Sequence, residues 1–162
     1  MTGRTAAHTY QAHLLWEGST AAGYDGYERA HVVSTPPAGQ ELRVSADPSF
    51  RGDPALPTPE QLLLAAASSC QLLSFLALAA RAGLDVVGYE DDAEAWMPID
   101  GQPMRITEIV LRPQIRVAGG TDLELVRSLV DRAHEECYVA RSLVAQVRLE
   151  PQLEHDPRTG RR

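Results

Sequence analysis

The chain has 162 residues, of which 44% are hydrophobic and 23% are charged, and its formal net charge is −7. This length predicts a single domain, and the composition is typical of a globular protein rather than a disordered or collagen-like chain. The acidic balance argues against a free-standing nucleic-acid-binding protein, because such proteins usually carry a basic excess. All 15 basic residues are arginine, which excludes enzymes that need a Schiff-base lysine or a P-loop lysine.

Two cysteines, Cys70 and Cys137, are present. Two are too few for a disulfide-stapled secreted scaffold, and too few for a zinc site without histidines. The N-terminal segment MTGRTAAHTYQ contains no apolar run of signal-peptide length. We therefore expect a cytoplasmic protein whose thiols stay reduced.

Short strands are predicted in the first third of the chain. Apolar residues alternate with others over residues 10–16, a period of two that suits a half-buried strand. A second strand is predicted over residues 27–33, after a glycine-rich turn, and a third over residues 42–45. The stretch ADPSFRGDPALP, residues 46–57, is rich in turn-forming residues and predicts a loop.

The segment TPEQLLLAAASSCQLLSFLALAARAG predicts the longest helix. Thr58 and Gln61 form a Thr-x-x-Gln capping box, Pro59 suits the first helical position, and Gly83 supplies the C-terminal stop. At ~1.5 Å per residue this helix is about 36 Å long. It is apolar on nearly every side, so we expect it to be buried all round.

Two environments can bury such a helix. Residues 62–80 approach the length of a membrane span, but polar residues at the centre and the missing aromatic belt argue against one. A single chain of 162 residues can hardly wrap the helix on all faces. We therefore expect an obligate homodimer in which a partner subunit covers one side, and no membrane partner.

The second half of the chain predicts more strands and one more helix. Strands are predicted over Val86–Met97, over Arg105–Val117 and over residues 145–149. Thr121-x-x-Glu124 predicts a capping box, which opens a helix whose apolar face includes Val126, Val130, Ala133 and Cys137. Residues 154–162 predict a flexible tail. This order of elements predicts an α+β fold with largely antiparallel sheets, in a single domain ordered over about residues 10–153.

Both cysteines are predicted to point inward from helices, as a peroxidatic and resolving pair would, although spacing alone cannot show that they meet. The alternative for Cys70 is a small buried hydrophobic residue. A reactive thiol usually needs a nearby cation. Arg81 is some 16 Å away along the helix at ~1.5 Å per residue, and Arg29 serves only if the fold brings it close. A metal site built from His134, Cys137, Cys70 and His31 is a weaker alternative, because no Cys-x-x-Cys motif supports it.

The segment TPEQLLLAAASSC resembles the helix signature of the OsmC/Ohr family of organic hydroperoxide reductases. The later AHEECYVARSL is similar to the family's second-cysteine segment, and WEG, PSFRGDP and the order of strands and helices also fit. The resemblance spans roughly residues 10–153. It implies an OsmC-like fold, with antiparallel sheets packed around long central helices in an intertwined homodimer.

The resemblance also implies roles for individual residues. Cys70 matches the peroxidatic cysteine, Cys137 the resolving cysteine, and Glu60 the carboxylate that holds the catalytic arginine. Arg29 in GYDGYERAH is the best match for that arginine, although the local pattern departs from the family's Gly-Arg-Asp-Gly type. Glu60 and Cys70 are ten residues apart, ~15 Å along one helix, so they can share a site only if two subunits pack antiparallel.

The expected activity is reduction of organic hydroperoxides to alcohols through a Cys70 sulfenic acid and a Cys70–Cys137 disulfide, which a dithiol reductant reopens. Apolar helix residues such as Leu63, Leu64, Leu73 and Phe75 are expected to favour alkyl or fatty peroxides. No metal, flavin or haem is implied. Two alternatives remain open: a non-catalytic protein that binds a small apolar ligand, and a structural dimer without a ligand.

Overall fold

The computed structural model describes residues 6–159. The chain divides into two compact units, Met1–Leu62 and Leu63–Arg162. The first unit contains one antiparallel sheet of three strands in the order β1-β2-β3. The strands are β1 (His13–Leu15), β2 (His31–Ser34) and β3 (Glu41–Val44).

Strand β2 starts at His31 rather than at the predicted residue 27. Residues 24–29 form a turn instead, in which the Arg29 guanidinium donates hydrogen bonds to the backbone carbonyls of Tyr24 and Tyr27. The predicted loop over residues 46–57 is confirmed, with a short 3₁₀ helix at Pro48–Phe50. Gly52 is required in this loop, because a Cβ atom there would lie 1.6 Å from the carbonyl oxygen of Ala46.

Helix α1 spans Pro59–Arg81, and its predicted ends are confirmed. The Thr58 backbone N–H donates to Gln61 Oε1 at 3.0 Å, and the Gln61 N–H donates to Thr58 Oγ1 at 3.4 Å. At the other end Gly83 has a φ of 71°. The Leu84 N–H donates to the Ala79 carbonyl at 3.0 Å, which closes the helix with a Schellman-type turn.

The single chain covers only one face of α1. The buried residues follow a helical spacing and comprise Ala67, Gln71, Phe75, Leu78 and Ala79. The opposite face carries Leu73, which is 64% exposed, and Leu76. Within residues 6–159, α1 is the one helix long and apolar enough to cross a membrane. Its Phe75 face packs into a protein core, however, as a core helix does.

The second unit contains two further sheets, ordered β4-β7-β9 and β5-β6-β8. Pairing is antiparallel for β4/β7 and β5/β6, and parallel for β6/β8 and β7/β9. The strand bounds are β4 Val86–Asp91, β5 Glu94–Trp96, β6 Glu108–Leu111, β7 Pro113–Val117, β8 Gln146–Leu149 and β9 Gln152–His155.

Two predicted strands are each divided in two. The prediction of one strand over Val86–Met97 is wrong because Asp92 and Ala93 separate β4 from β5, and these two strands belong to different sheets. The predicted strand over Arg105–Val117 is broken at Arg112, whose backbone N–H donates to the Asp91 carboxylate at 2.6 Å rather than to a neighbouring strand. The two halves then belong to different sheets.

Helix α2 spans Leu123–Glu136, and the short helix α3 spans Tyr138–Arg141. The predicted capping box at Thr121 is wrong, because the N-cap is Asp122, whose carboxylate accepts from the Glu124 N–H at 2.9 Å. The Thr121 hydroxyl instead donates to the Ala118 carbonyl at 2.7 Å. The adjacent Asp is a cap of equal quality, which explains the shift by one residue.

The C-terminal segment also differs from the prediction. Strand β8 matches the strand predicted over residues 145–149, but β9 follows it and includes Glu154 and His155, which the predicted tail contained. Asp156 is buried, and its carboxylate bonds the Arg158 guanidinium at 2.8 Å. Residues 160–162 of the predicted tail lie outside the described residues.

Two clusters of buried apolar residues form the core of the second unit. One lies around Phe75, Ile115, Val126 and Val130, and joins α1 to α2 and the β4-β7-β9 sheet. The other lies around Ala67, Ile109 and Leu111. Helices packed against antiparallel and mixed sheets confirm the predicted α+β class.

Candidate active site

The fold brings the two cysteines together. Cys70 lies in the middle of α1, and Cys137 lies at the junction of α2 and α3. Both thiols are free, and each cysteine is among the groups that shift the pKa of the other, so the two side chains are neighbours. The spacing of the two cysteines in the sequence did not predict whether they are in contact. The fold therefore places the two thiols where a disulfide could form between them once one of the sulfurs has been oxidised.

The Cys70 thiol is set up to ionise more easily than an ordinary cysteine. Burial by itself raises its pKa, but hydrogen bonds from four groups outweigh that effect and leave the pKa lowered. These groups are the Val139 N–H, the Cys137 thiol, the Tyr138 N–H and the Ser74 hydroxyl. Backbone amides therefore provide stabilisation of the thiolate that does not depend on a nearby cation.

Cys137 has the opposite properties. It is 1% exposed, and burial raises its pKa, as does the neighbouring Cys70 thiol. When the pair loses a proton, the negative charge therefore lies on Cys70, the more accessible sulfur, while Cys137 keeps its proton. Because a thiolate rather than a thiol is the nucleophile, this asymmetry makes Cys70 the better nucleophile of the pair.

The local backbone at Cys137 explains how these amides become available. Cys137 has ψ 111° and is therefore not helical, and its sulfur accepts from the Ala140 N–H at 3.5 Å, which caps α3. The first amides of α3 have no carbonyl partners within the helix. The sequence missed this break because Cys137 follows Ala133 by four residues and continues the apolar face of α2. Cysteine is not a usual cap, so the sequence carried no signal of it.

Cys70 opens into a cavity of about 530 Å³. Its lining is mostly apolar or small, and comprises Ala66, Ser69, Cys70, Leu73, Ser74, Ala77, Leu78, Arg81, Glu136 and Tyr138. Of the apolar residues proposed from the sequence, Leu73 lines the cavity. Phe75 lies in the first core cluster instead, and Leu64 packs against the second.

Arg29 lies in the first unit, beside a separate cavity of about 360 Å³ that Trp16 and Tyr27 also line. Its guanidinium carbon lies 3.8 Å from the centre of the Tyr27 ring and 4.9 Å from that of Tyr24. Its Nε is buried and has no hydrogen-bond partner among residues 6–159. The Arg29 guanidinium is thus held by contacts with Tyr24 and Tyr27 of the preceding turn.

Glu60 lies in the first turn of α1, where a negative charge is favoured by the helix dipole. The roles of Glu60 and Arg29 toward Cys70 remain predictions from the resemblance. For the metal alternative, the part of the chain that the structure describes holds no group of three His, Cys, Asp or Glu residues arranged for a metal ion.

Polar side chains close to Cys70 in the sequence are buried or half-buried and bond to other elements. The Ser68 hydroxyl donates to the Asp91 carboxylate, and Gln71 Nε2 donates to the Val130 carbonyl at 3.1 Å. Burial raises the pKa of Tyr89, and the nearby Asp91 and Cys137 raise it further. Ser68 and Gln71, which are polar residues in an otherwise apolar helix, therefore bond α1 to β4 and to α2.

Comparisons with known proteins agree with this geometry. Residues 52–152 match the family model for OsmC-like proteins, and this range contains both cysteines. An OsmC-like protein of unknown function from Vibrio cholerae O1 shares 28% identity and a TM-score of 0.80, with 90% of this chain and 99% of that chain covered. The uncharacterized protein YmaD of Bacillus subtilis is 26% identical over 105 residues, which are 63% of this chain and 69% of YmaD.

More distant structures share the fold. An organic hydroperoxide resistance protein from Elizabethkingia anophelis has a TM-score of 0.67 at 16% identity, with 93% of this chain and 99% of that chain covered. The corresponding values for OhrB of Bacillus subtilis are 0.62 and 18%, with coverage of 92% and 100%. Since the family model spans well over half of the chain, this protein belongs to the OsmC-like family.

Proposed function

We propose that the protein is a cysteine-based peroxidase that reduces organic hydroperoxides to alcohols. One observation carries the proposal: Cys70, a thiol of lowered pKa, lies beside a second thiol and opens into a largely apolar cavity. A merely buried cysteine needs neither the amide donors nor the cavity. The names of two structural neighbours as organic hydroperoxide resistance proteins support the same activity.

In the first step, the Cys70 thiolate forms a bond to the terminal peroxide oxygen while the O–O bond breaks. Sulfur is oxidised to a sulfenic acid, and the departing alkoxide takes up a proton to become the alcohol. The Cys137 thiol then attacks the Cys70 sulfur, a disulfide forms, and the sulfenic oxygen leaves as water. An external dithiol reopens the disulfide by exchange and is itself oxidised to a disulfide.

The resemblance to the family extends the proposal to Arg29 and Glu60. In the proposed mechanism, Glu60 holds Arg29, and Arg29 stabilises the Cys70 thiolate and orients the peroxide. The apolar cavity walls favour alkyl or fatty peroxides over hydrogen peroxide. We also propose a cytoplasmic location, because the mechanism requires a reducing compartment.

The exposed face of α1 supports a homodimer. Leu73 and Leu76 would leave an apolar surface in water if the chain were a monomer. A second copy packed on this face buries the helix on both sides and closes the open side of the Cys70 cavity. The sequence-based expectation of a dimer thus keeps its physical basis.

The test is a stopped-flow reaction of the reduced protein with cumene hydroperoxide and with hydrogen peroxide, followed by thiol titration. We expect faster oxidation by cumene hydroperoxide and the loss of two thiols per chain. A protein that only binds an apolar ligand, or that serves only as a structural dimer, would keep both thiols. That result would overturn the proposal.

A further inference from the structure

One face of α1 carries a line of residues from Cys70 to Arg81. Cys70, Ser74, Ala77 and Arg81 follow at spacings of four, three and four, and all four line the same cavity. Eleven residues correspond to three helical turns plus about 20°, so Cys70 and Arg81 share one face, ~16 Å apart along the axis. At this distance Arg81 is too far from the Cys70 thiol to stabilise its thiolate. Because both residues line the same cavity, the cavity extends along α1 from one to the other.

The shape and lining of this cavity suit an extended apolar chain. Ser74 and Ala77 are small and leave room between the two ends. Leu73 and Leu78 provide apolar contacts along the cavity. The ends differ chemically, because one holds a nucleophilic sulfur and the other a guanidinium.

Arg81 is available to a ligand, because the other charged residue in the cavity lining already has a partner. Glu136 also lines the cavity, but it pairs with Arg132 at 2.8 Å. Arg81 takes part in none of the ion pairs found among residues 6–159. An arginine in this position offers several donors to a carboxylate and can bind it in a bidentate manner.

We propose that Arg81 is a specificity-determining residue that binds the carboxylate of a long acyl-chain hydroperoxide whose peroxide group lies at Cys70. This inference rests on the proposed peroxidase function and adds a charge preference to it. Arg81 takes no part in the reaction itself. It selects carboxylate-bearing hydroperoxides over neutral ones of the same length.

Matched probes that differ in one charge test the proposal. Linoleic acid hydroperoxide and its methyl ester have the same chain, so only the acid can pair with Arg81. We expect the wild type to show a lower KM for the acid, and Arg81→Gln to raise that KM about threefold to tenfold while leaving the ester unchanged. Arg81→Lys should restore part of the preference, and the preference should weaken at high salt. Arg127→Gln, a change at an exposed residue of α2, is the control.

Binding of unoxidised linoleic acid and methyl linoleate, measured by calorimetry, gives a readout that does not need catalysis. Weaker binding of the acid alone to Arg81→Gln supports the inference even if turnover fails. Equal effects on acid and ester, or no preference in the wild type, overturn it. A wild type that leaves cumene hydroperoxide unreduced but binds the acid through Arg81 contradicts only the peroxidase proposal.

Discussion

Gln71 donates a hydrogen bond from its side-chain Nε2 to the backbone carbonyl of Val130, at 3.1 Å, across 59 residues of sequence. Gln71 is 1% exposed and follows Cys70 directly on α1. Val130 lies on α2, which ends at Cys137. A single buried side chain therefore joins the two helices that position the two thiols.

Replacing Gln71 separates this hydrogen bond from simple packing. Gln71→Met keeps the volume and should lower the free energy of unfolding by about 1–2 kcal/mol. Gln71→Ala also leaves a cavity and should cost about 2–5 kcal/mol. Urea denaturation measures both. We further expect slower disulfide formation in Gln71→Met, with an unchanged first oxidation; equal rates of both steps in mutant and wild type would refute the positioning role.

The Tyr138 N–H, which lowers the pKa of Cys70, can be removed selectively. Tyr138 is the first residue of α3, where proline is tolerated, and Cys137 before it has the extended backbone that proline requires. Tyr138→Pro should therefore fold but raise the pKa of Cys70, whereas Tyr138→Ala keeps the amide.

The expected change follows from the sign of the shift. A lowered pKa keeps Cys70 ionised at lower pH, so a lost donor moves the pH profile of its alkylation upward. At pH 7 the rate should fall about threefold to tenfold, for roughly half to one pKa unit, and converge at high pH. Iodoacetamide labelling followed by mass spectrometry measures this. Identical profiles for the Pro and Ala variants would show that the amide is unimportant.

Cys70→Ser and Cys137→Ser should fail differently. Without Cys70 we expect no oxidation by stoichiometric peroxide. Without Cys137 the first oxidation should still occur, but the sulfenic acid should persist or proceed to the irreversible sulfinic acid. Mass spectrometry distinguishes added oxygen atoms from a loss of two hydrogens. If the Cys137 variant stays unoxidised while the Cys70 variant gains oxygen, the two roles are reversed.

Arg29→Ala should suppress peroxidase activity at least tenfold on the scale of one charge-assisted contact, ~1.5–3 kcal/mol, while the protein remains folded. Arg29 also holds its own turn through the carbonyls of Tyr24 and Tyr27, so circular dichroism must accompany the assay. Arg51→Ala is the matched control, because Arg51 forms an exposed pair with Asp25 at 2.7 Å. Loss of activity in Arg51→Ala alone would move the catalytic arginine to that residue.

The homodimer predicts a particle of twice 17.7 kDa in light scattering. Leu73→Glu places a charge on the exposed apolar face of α1 and should shift the protein toward monomer. Leu125→Glu, at a partly exposed leucine of α2, should not. A wild type that stays monomeric at micromolar concentration would contradict the expectation of a dimer.

Local signals in the sequence were sufficient for α1. The capping box at Thr58 and the positive φ of Gly83 depend on a few adjacent residues, and both ends were predicted correctly. The prediction of one strand over residues 105–117 failed because a distant group competed with the local pattern. The Asp91 carboxylate takes the Arg112 amide and ends one strand there, and no pattern within residues 105–117 contains that information.

The same reasoning applies to the site. Cys70 and Cys137 could be selected from their setting in apolar helices, but their contact depends on how α1 packs on α2. The amide donors of Tyr138 and Val139 arise from a helix break at Cys137, which the apolar spacing concealed. Nearly every residue carries a backbone N–H, so residue identities do not show which amides bind a thiol. Only the three-dimensional structure identifies them.

The sulfur of Cys137 also serves as the cap of α3, by accepting the Ala140 N–H. Any covalent change at this sulfur therefore alters the first turn of the helix whose amides lower the pKa of Cys70. Oxidation and the order of this turn should then be thermodynamically linked: the free energy by which oxidation changes the opening of the turn equals that by which opening changes oxidation. The hydrogen-exchange rate of the Ala140 amide should consequently report the redox state of Cys137, and it can be measured without any substrate.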